Sequence, residues 1–354
     1  MEAPVATGIG DVLRSLLAES ERHEESVRED LARADLEEVI GLATDFVRSG
    51  AGPIPALSRA KRLAEVIDAL VAGDLRERAL EFAEELARGL PPPVPADDVA
   101  SACAAVAAVA RAARVLGADR APGELSRWVG NRLPACSPVG YHGTPELLAA
   151  RISASVHADP ARTGAGAGSG PPLPAPVRIG VEALLRAQHR DGGWSDADGG
   201  DATARVLDDA LAIALLAEPA GSGDAPPVAV SVARALARLA GTQGPAGDWR
   251  GDLAGTIANL RCAILLYPVV AERFPGALAA VDLPEPSGQG RFVERGLAWC
   301  LSRKPDFGWS GACPPDPDPG AALRLATAGI GLLHEYGAWR SDGPFGPVRW
   351  RGLA

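Results

Sequence analysis

The chain has 354 residues, 47% of them hydrophobic, with 35 Lys and Arg against 45 Asp and Glu and a formal net charge of −10. That length allows one large domain or two ordinary ones around a substantial core. The acidic balance argues against nucleic acid or an anionic membrane surface as a general partner.

Alanine, leucine, arginine and glutamate dominate, and valine and isoleucine rarely alternate with polar residues, so the chain reads as all-α. Lysine occurs only at Lys61 and Lys304, an arginine bias typical of GC-rich bacterial coding. The N-terminus shows no basic stretch followed by a long apolar one, so no signal peptide is expected, and cytoplasmic is the expected location. Five scattered cysteines, Cys103, Cys136, Cys262, Cys300 and Cys313, read as reduced packing thiols.

In chain order, helices are expected over 11–22 and 26–48. In the second, Leu31, Leu36, Val39, Ile40 and Ala43 follow helical spacing. The charges of Glu19–Glu25 read as a solvated face. Further helices fit 57–71, 75–89, 97–116 and 123–133, and Pro91, Pro92 and Pro93 end one of them. The alanine-rich run within 97–116 is broken by Arg111 and Arg114, which argues for a packed helix and against a transmembrane segment. Residues 158–176 are Gly- and Pro-rich and read as a linker or surface loop. With no strand before it and no Lys-Ser/Thr after it, it is not a phosphate loop. Shorter loops are expected at 219–228 and 283–290.

Beyond the linker the chain repeats. Leu184-x3-Gln188-x3-Gly192-x-Trp194 recurs as Leu239-x3-Gln243-x3-Gly247-x-Trp249. A third copy, Trp299-x3-Arg303 followed by Asp306, Gly308 and Trp309, places arginine where the others have glutamine. Each tryptophan precedes a new helix with a threonine near its start: Thr203, Thr256 and Thr327. The unit is therefore helix, Gly/Trp turn, helix. Glutamine can reach past its helix end to carbonyls or to the next unit's amides. Glycine permits the left-handed turn. Tryptophan folds back as an apolar plug, and a cation such as Arg303 can stack on a ring.

The pattern resembles the QW repeat of the terpene-cyclase superfamily, which includes squalene–hopene cyclases, class II diterpene cyclases and protein prenyltransferase β subunits. The resemblance covers about 177–337, and "GYHGTPELLAARIS", with Thr144, looks like a decayed fourth copy. It implies an α/α toroid of inner and outer helices. On that reading 1–157 is an N-terminal helical half completing the toroid, 158–176 a linker, and 177–354 the repeat hairpins.

The resemblance also suggests chemistry. Class II cyclases protonate an alkene with the middle Asp of Asp-x-Asp-Asp-Thr-Ala, which requires a strong acid in a dry, preorganised cavity. Aligned on the threonine, "GGDATA" puts Asp201 at the acid position, with Gly199 and Ala202 where partner aspartates would be. A second register offers Asp208 and Asp209, adjacent acids that cannot share one helix face. Asp196, Asp198 and Asp201 could suggest a divalent ion, but acidic glycine-rich loops are usually just solvated. Zinc is not expected. Cys300, Cys313 and His334 lack ligand spacing, and His23, His157 and His189 read as exposed. Aromatics make up only 5% of the chain, a poor supply for steering carbocations.

Two functions follow. The first is a terpene-cyclase-like protein binding an apolar isoprenoid, with acid-initiated cyclisation by Asp201 or by Asp208 and Asp209. It needs no cofactor, with Mg2+ required only if the substrate is a diphosphate. The second is a non-catalytic toroid that binds a protein partner or acts as a scaffold.

Overall fold

Helical spacing of small and aliphatic residues sets the architecture. The computed structural model describes residues 33–49, 55–91, 98–116, 120–136, 144–158, 173–194, 201–218, 225–281, 286–304, 309 and 320–341. Among them there is no strand, and fourteen helices carry the fold. They are α1 (33–48), α2 (Ala56–Ala72), α3 (Arg76–Gly89), α4 (Val99–Leu116), α5 (Arg120–Arg132), α6 (Pro145–His157), α7 (Ala175–Ala187), α8 (Asp201–Val206), α9 (Ala212–Ala217), α10 (Pro227–Thr242), α11 (Leu253–Arg273), α12 (Pro275–Ala279), α13 (Pro286–Arg303) and α14 (Ala321–Ser341). A π turn, Leu207–Leu211, joins α8 to α9 without a break, and a 3-10 turn, Leu133–Cys136, follows α5.

The helix contacts return on themselves. α2 packs on α4, α4 on α6, α6 on α8, α8 on α11, α11 on α14, and α14 on α2. The helices between these in sequence pack on the cycle from outside its contact order. α3 and α5 lie against α4 and each other, α7 against α6 and α10, and α10 and α13 against α11. One buried core runs through all of them. In α4, alanines line most of the buried surface, so α2, α5 and α6 can all approach its backbone closely.

By length and composition α4 and α11 could each span a membrane; 61% and 67% of their apolar windows are buried against the rest of the chain.

The expected boundaries move by a few residues. The predicted 57–71, 75–89, 97–116 and 123–133 become α2 to α5, and the helix expected over 26–48 is described from residue 33. The loop expected at 283–290 is overturned in part, because α13 begins at Pro286, a residue whose fixed φ suits a first helical turn. Likewise α10 begins at Pro227, inside the loop expected at 219–228. The expected helix 11–22 and residues 159–172 of the linker lie outside the described residues. Thr144 caps α6 by accepting the Leu147 amide at 3.4 Å, so the threonine expected to open a helix there does so.

Glycine substitutions test this packing. A Cβ at Gly329 on α14 would collide with the Trp309 indole, whereas Gly41 on α1 has open space around it. Gly329→Ala should cost about 1–3 kcal/mol by overpacking, and Gly41→Ala should gain about 0.5–1 kcal/mol of helix propensity. Denaturant unfolding of both variants measures the contrast, and a neutral Gly329→Ala would remove Trp309 from α14.

Candidate functional site

Two turns share one construction. At the end of α7, Gln188 leaves the helix in an extended conformation, and its Nε2 donates to Gly192 O at 2.9 Å and to Ser231 O on α10 at 2.9 Å. The Ser231 hydroxyl donates back to Gln188 Oε1 at 2.8 Å. At the end of α10, Gln243 Nε2 donates to Gly247 O at 2.9 Å and to Phe292 O on α13 at 3.0 Å, and Arg295 donates to its Oε1 at 2.9 Å. Each glutamine therefore closes its own turn and ties it to the next packed helix. The partners in that helix are carbonyls and side chains, not the amides that were one expectation.

The glycines are required by geometry. Gly192 has φ +93 and Gly247 φ +102, and a Cβ on either would overlap a backbone carbonyl of the next helix, Arg234 O or Arg295 O. The tryptophans fold back as expected. Trp194 Nε1 donates to Leu184 O at 2.8 Å and Trp249 Nε1 to Leu239 O at 3.1 Å, each ten residues upstream. Trp249 also meets Phe292 edge-on, with centroids 5.5 Å apart. Thr256 accepts the Trp249 amide at 3.0 Å and donates to Asp252 O, fixing the start of α11.

The third turn is built differently. Trp309 is fully buried, but its Nε1 has no partner among the described residues. Its amide donates to Glu38 on α1 at 2.8 Å, and Lys304 Nζ lies 5.6 Å from its ring centre. Lys304 also pairs with buried Asp35 at 2.7 Å. Arg303 does not take over the glutamine's role: it is exposed, and its guanidinium lies 5.1 Å over Trp299, not over Trp309. Gly308 and Asp306 lie outside the described residues.

The candidate acids separate. Asp201 opens α8, and its side chain lies outside the described residues, as do Asp196 and Asp198. Asp208 and Asp209 fall on the π turn, where Asp208 is exposed and Asp209 half-buried. The extra residue of a π turn re-aims side chains, and such turns concentrate at functional sites. Burial and the neighbouring Asp208 push Asp209 up to about 6, while Arg111, Lys61 and Arg205 pull it down.

Those neighbours reveal a charged convergence. Lys61 stands on α2, Arg111 on α4 and Arg205 on α8, so charges from separate stretches of the contact cycle act on one carboxylate. Arg111 lies 3.6 Å from Asp68 of α2. Burial lifts Asp68 to about 6 against the pull of Arg111 and Arg261 of α11, yet 30% of its side chain still reaches solvent. One of its oxygens, Oδ1, is buried without a hydrogen-bond partner, while the rest of the side chain is partly exposed. Against the cost of burial, Asp68, Asp208 and Asp209 raise Arg111 above its usual value.

Nothing in local spacing announced Asp68 and Arg111 as partners. The available signals were Lys61, Glu65 and Asp68 at helical spacing on one helix, and an arginine interrupting an alanine run.

His157, expected to be exposed, is buried. Burial and the charges of Arg111 and Arg114 hold it well below its usual pKa, so it stays neutral. Cys300 is buried, its thiol pushed up to about 12 by that burial, while Cys313 and the His334 side chain lie outside the described residues. Among the described residues no group of three or more His, Cys, Asp or Glu could hold a metal ion. The chain matches no protein-family model, no curated protein and no solved structure.

Gln243→Ala removes the donor to the Gly247 carbonyl and the tie to Phe292 of α13, and should cost about 1–3 kcal/mol in chemical unfolding. A loss below half a kcal/mol on the same scale would demote the glutamine to a surface residue.

The burial of Asp209 carries a pH signature. Asp209 titrates near 6 in the folded chain against an ordinary 3.8, so between these values the folded state holds more protons than the unfolded one. Its contribution to stability is therefore present below about pH 4 and lost as pH rises through about 6. Asp209→Asn removes that loss, so the melting temperature of the variant relative to wild type should rise between about pH 4 and 6 and level off above. A flat difference would mean that Asp209 is not desolvated.

Proposed function

We propose that the chain is an α/α toroid of the terpene-cyclase and protein-prenyltransferase kind, and that it works as a binding module whose ligand enters a charged recess between the inner helices. The contact cycle α2–α4–α6–α8–α11–α14–α2 supports the toroid, because a closed cycle of alternate helices is what inner helices form. The N-terminal half supplies α2, α4 and α6 to that cycle, which supports one complete toroid.

The observation that carries the binding reading is the composition of the inner helices. Of the six helices of the cycle, α2, α4, α6 and α8 contain no Phe, Trp or Tyr, while α11 carries Tyr267 and α14 carries Tyr336 and Trp339. The described aromatics sit mainly in the turns and on the helices outside the cycle. Polyene cyclisation needs aromatic faces around a dry cation path. A lining of Lys61, Asp68, Arg111, Asp209 and Arg261 instead suits the ionic groups of a partner protein or a polar small molecule.

One observation favours the isoprenoid reading: burial keeps a carboxyl on a π turn protonated to about pH 6, so it holds a proton to give, though at lower acid strength than alkene protonation demands. On that reading Asp209 is the donor candidate among the described side chains, and a diphosphate substrate would bring Mg2+ with it. Farnesyl diphosphate, geranylgeranyl diphosphate and squalene, with and without Mg2+, should give no cyclised product by mass spectrometry and no thermal stabilisation. A cyclised product that disappears in Asp209→Asn or Asp201→Asn would replace the binding reading with acid-initiated cyclisation.

A further inference from the structure

The three turns dock on their neighbours at matching positions but with opposite charge polarity. Turn one touches α10 at Ser231 and, three residues on, at the Arg234 backbone. Turn two touches α13 at Phe292 and, three residues on, at Arg295. Turn three touches α1 at Asp35 and, three residues on, at Glu38. α1 thus stands toward the third turn as α10 and α13 stand toward the first two. In the first two docks the helix supplies the cation and the turn the acceptor: Arg238 pairs with Asp191, and Arg295 donates to Gln243. In the third the turn supplies the cation, Lys304, and the helix supplies the carboxylates.

We propose that Lys304, set against Asp35 and Glu38, is a closure code: it makes the last turn select the chain's own first helix and reject α10 or α13 of another copy. The proposal rests on the toroid reading. A repeat chain whose last turn could dock on any copy's repeat helix makes a head-to-tail contact, which leads to open-ended assembly unless something favours closure. Reversing one charge pair supplies that preference. Lys304 presented to α13 would meet Arg295 beside the Phe292 position that Asp35 occupies on α1, and presented to α10 it would find Ser231 in place of a carboxylate. Burial sharpens the discrimination, since Asp35 is 3% exposed and the Lys304 side chain 13%, so a mismatched charge there would be left desolvated and unpaired. The chain spends one of its two lysines on this pair.

The test compares full-length wild type, Lys304→Glu, Asp35→Lys and the charge-swapped double variant, by hydrogen exchange over 33–48 and by light scattering across a concentration series. Wild-type α1 should be protected. Each reversal should speed its exchange on the order of a hundredfold and add concentration-dependent oligomers, and the swap should restore both to near wild type. Because a reversal can unfold the chain outright, Lys304→Gln and Asp35→Asn are measured beside it and should loosen α1 without adding oligomers. Reversals no worse than these neutral variants, or a swap that restores nothing, would overturn the code while leaving the toroid intact. A wild-type α1 that exchanges freely would overturn the toroid reading itself, and the code with it.

Discussion

The architecture depends on what happens to backbone groups where a helix ends inside a packed layer. The last carbonyls of α7 and α10 and the first residues of the following turn have no intrahelical partners, and water does not reach all of them. Glutamine resolves this by donating twice, once into its own turn and once into the next helix. The indole N–H then takes a carbonyl of the departing helix. The same side chains that finish one hairpin therefore set the distance to the next. Removing them would loosen a turn and a helix–helix contact together.

These turns were legible because they are local. The spacing from glutamine to glycine to tryptophan is short enough for one sequence window to hold the donor, the left-handed residue and the plug, and both glycines that the motif singled out do have positive φ. The all-helical class was legible for the same reason. What spacing could not supply was any relation between distant segments. Arg111 looked like an interruption in an alanine run, and only the fold brings Asp68, Asp208 and Asp209 around it. Arg303 matched the glutamine by position, but with Lys304 beside it the docking contact shifted by one residue. His157 looked exposed because a histidine near a glycine-rich linker usually is; here α4 covers it through Arg114.

The charges around Arg111 illustrate why the proposed toroid would not by itself bring a cyclase's chemistry with it. The turns stabilise the hairpins whatever the inner helices enclose. A path for a carbocation and a path for an ion pair demand opposite linings, one dry and aromatic, the other polar and compensated. In this chain the charges around Arg111 come from helices far apart in sequence, so the lining is a property of the assembled cycle rather than of any one repeat. Two carboxyls near pH 6 in such a place make the enclosed charge sensitive to modest acidification.

The scarcity of lysine has a practical side. Lys61, 45% exposed in its side chain, stands beside the recess, and Lys304, 13% exposed, stands beneath Trp309. An amine-directed label on the side chains therefore has only two addresses, and they differ in access. Acylation at the first would report on what binds near Asp209 and Arg111, if the proposed binding reading holds. Acylation at the second can proceed only when Trp309 and α1 part, so its rate would follow the breathing of one seam, read from a single modified peptide.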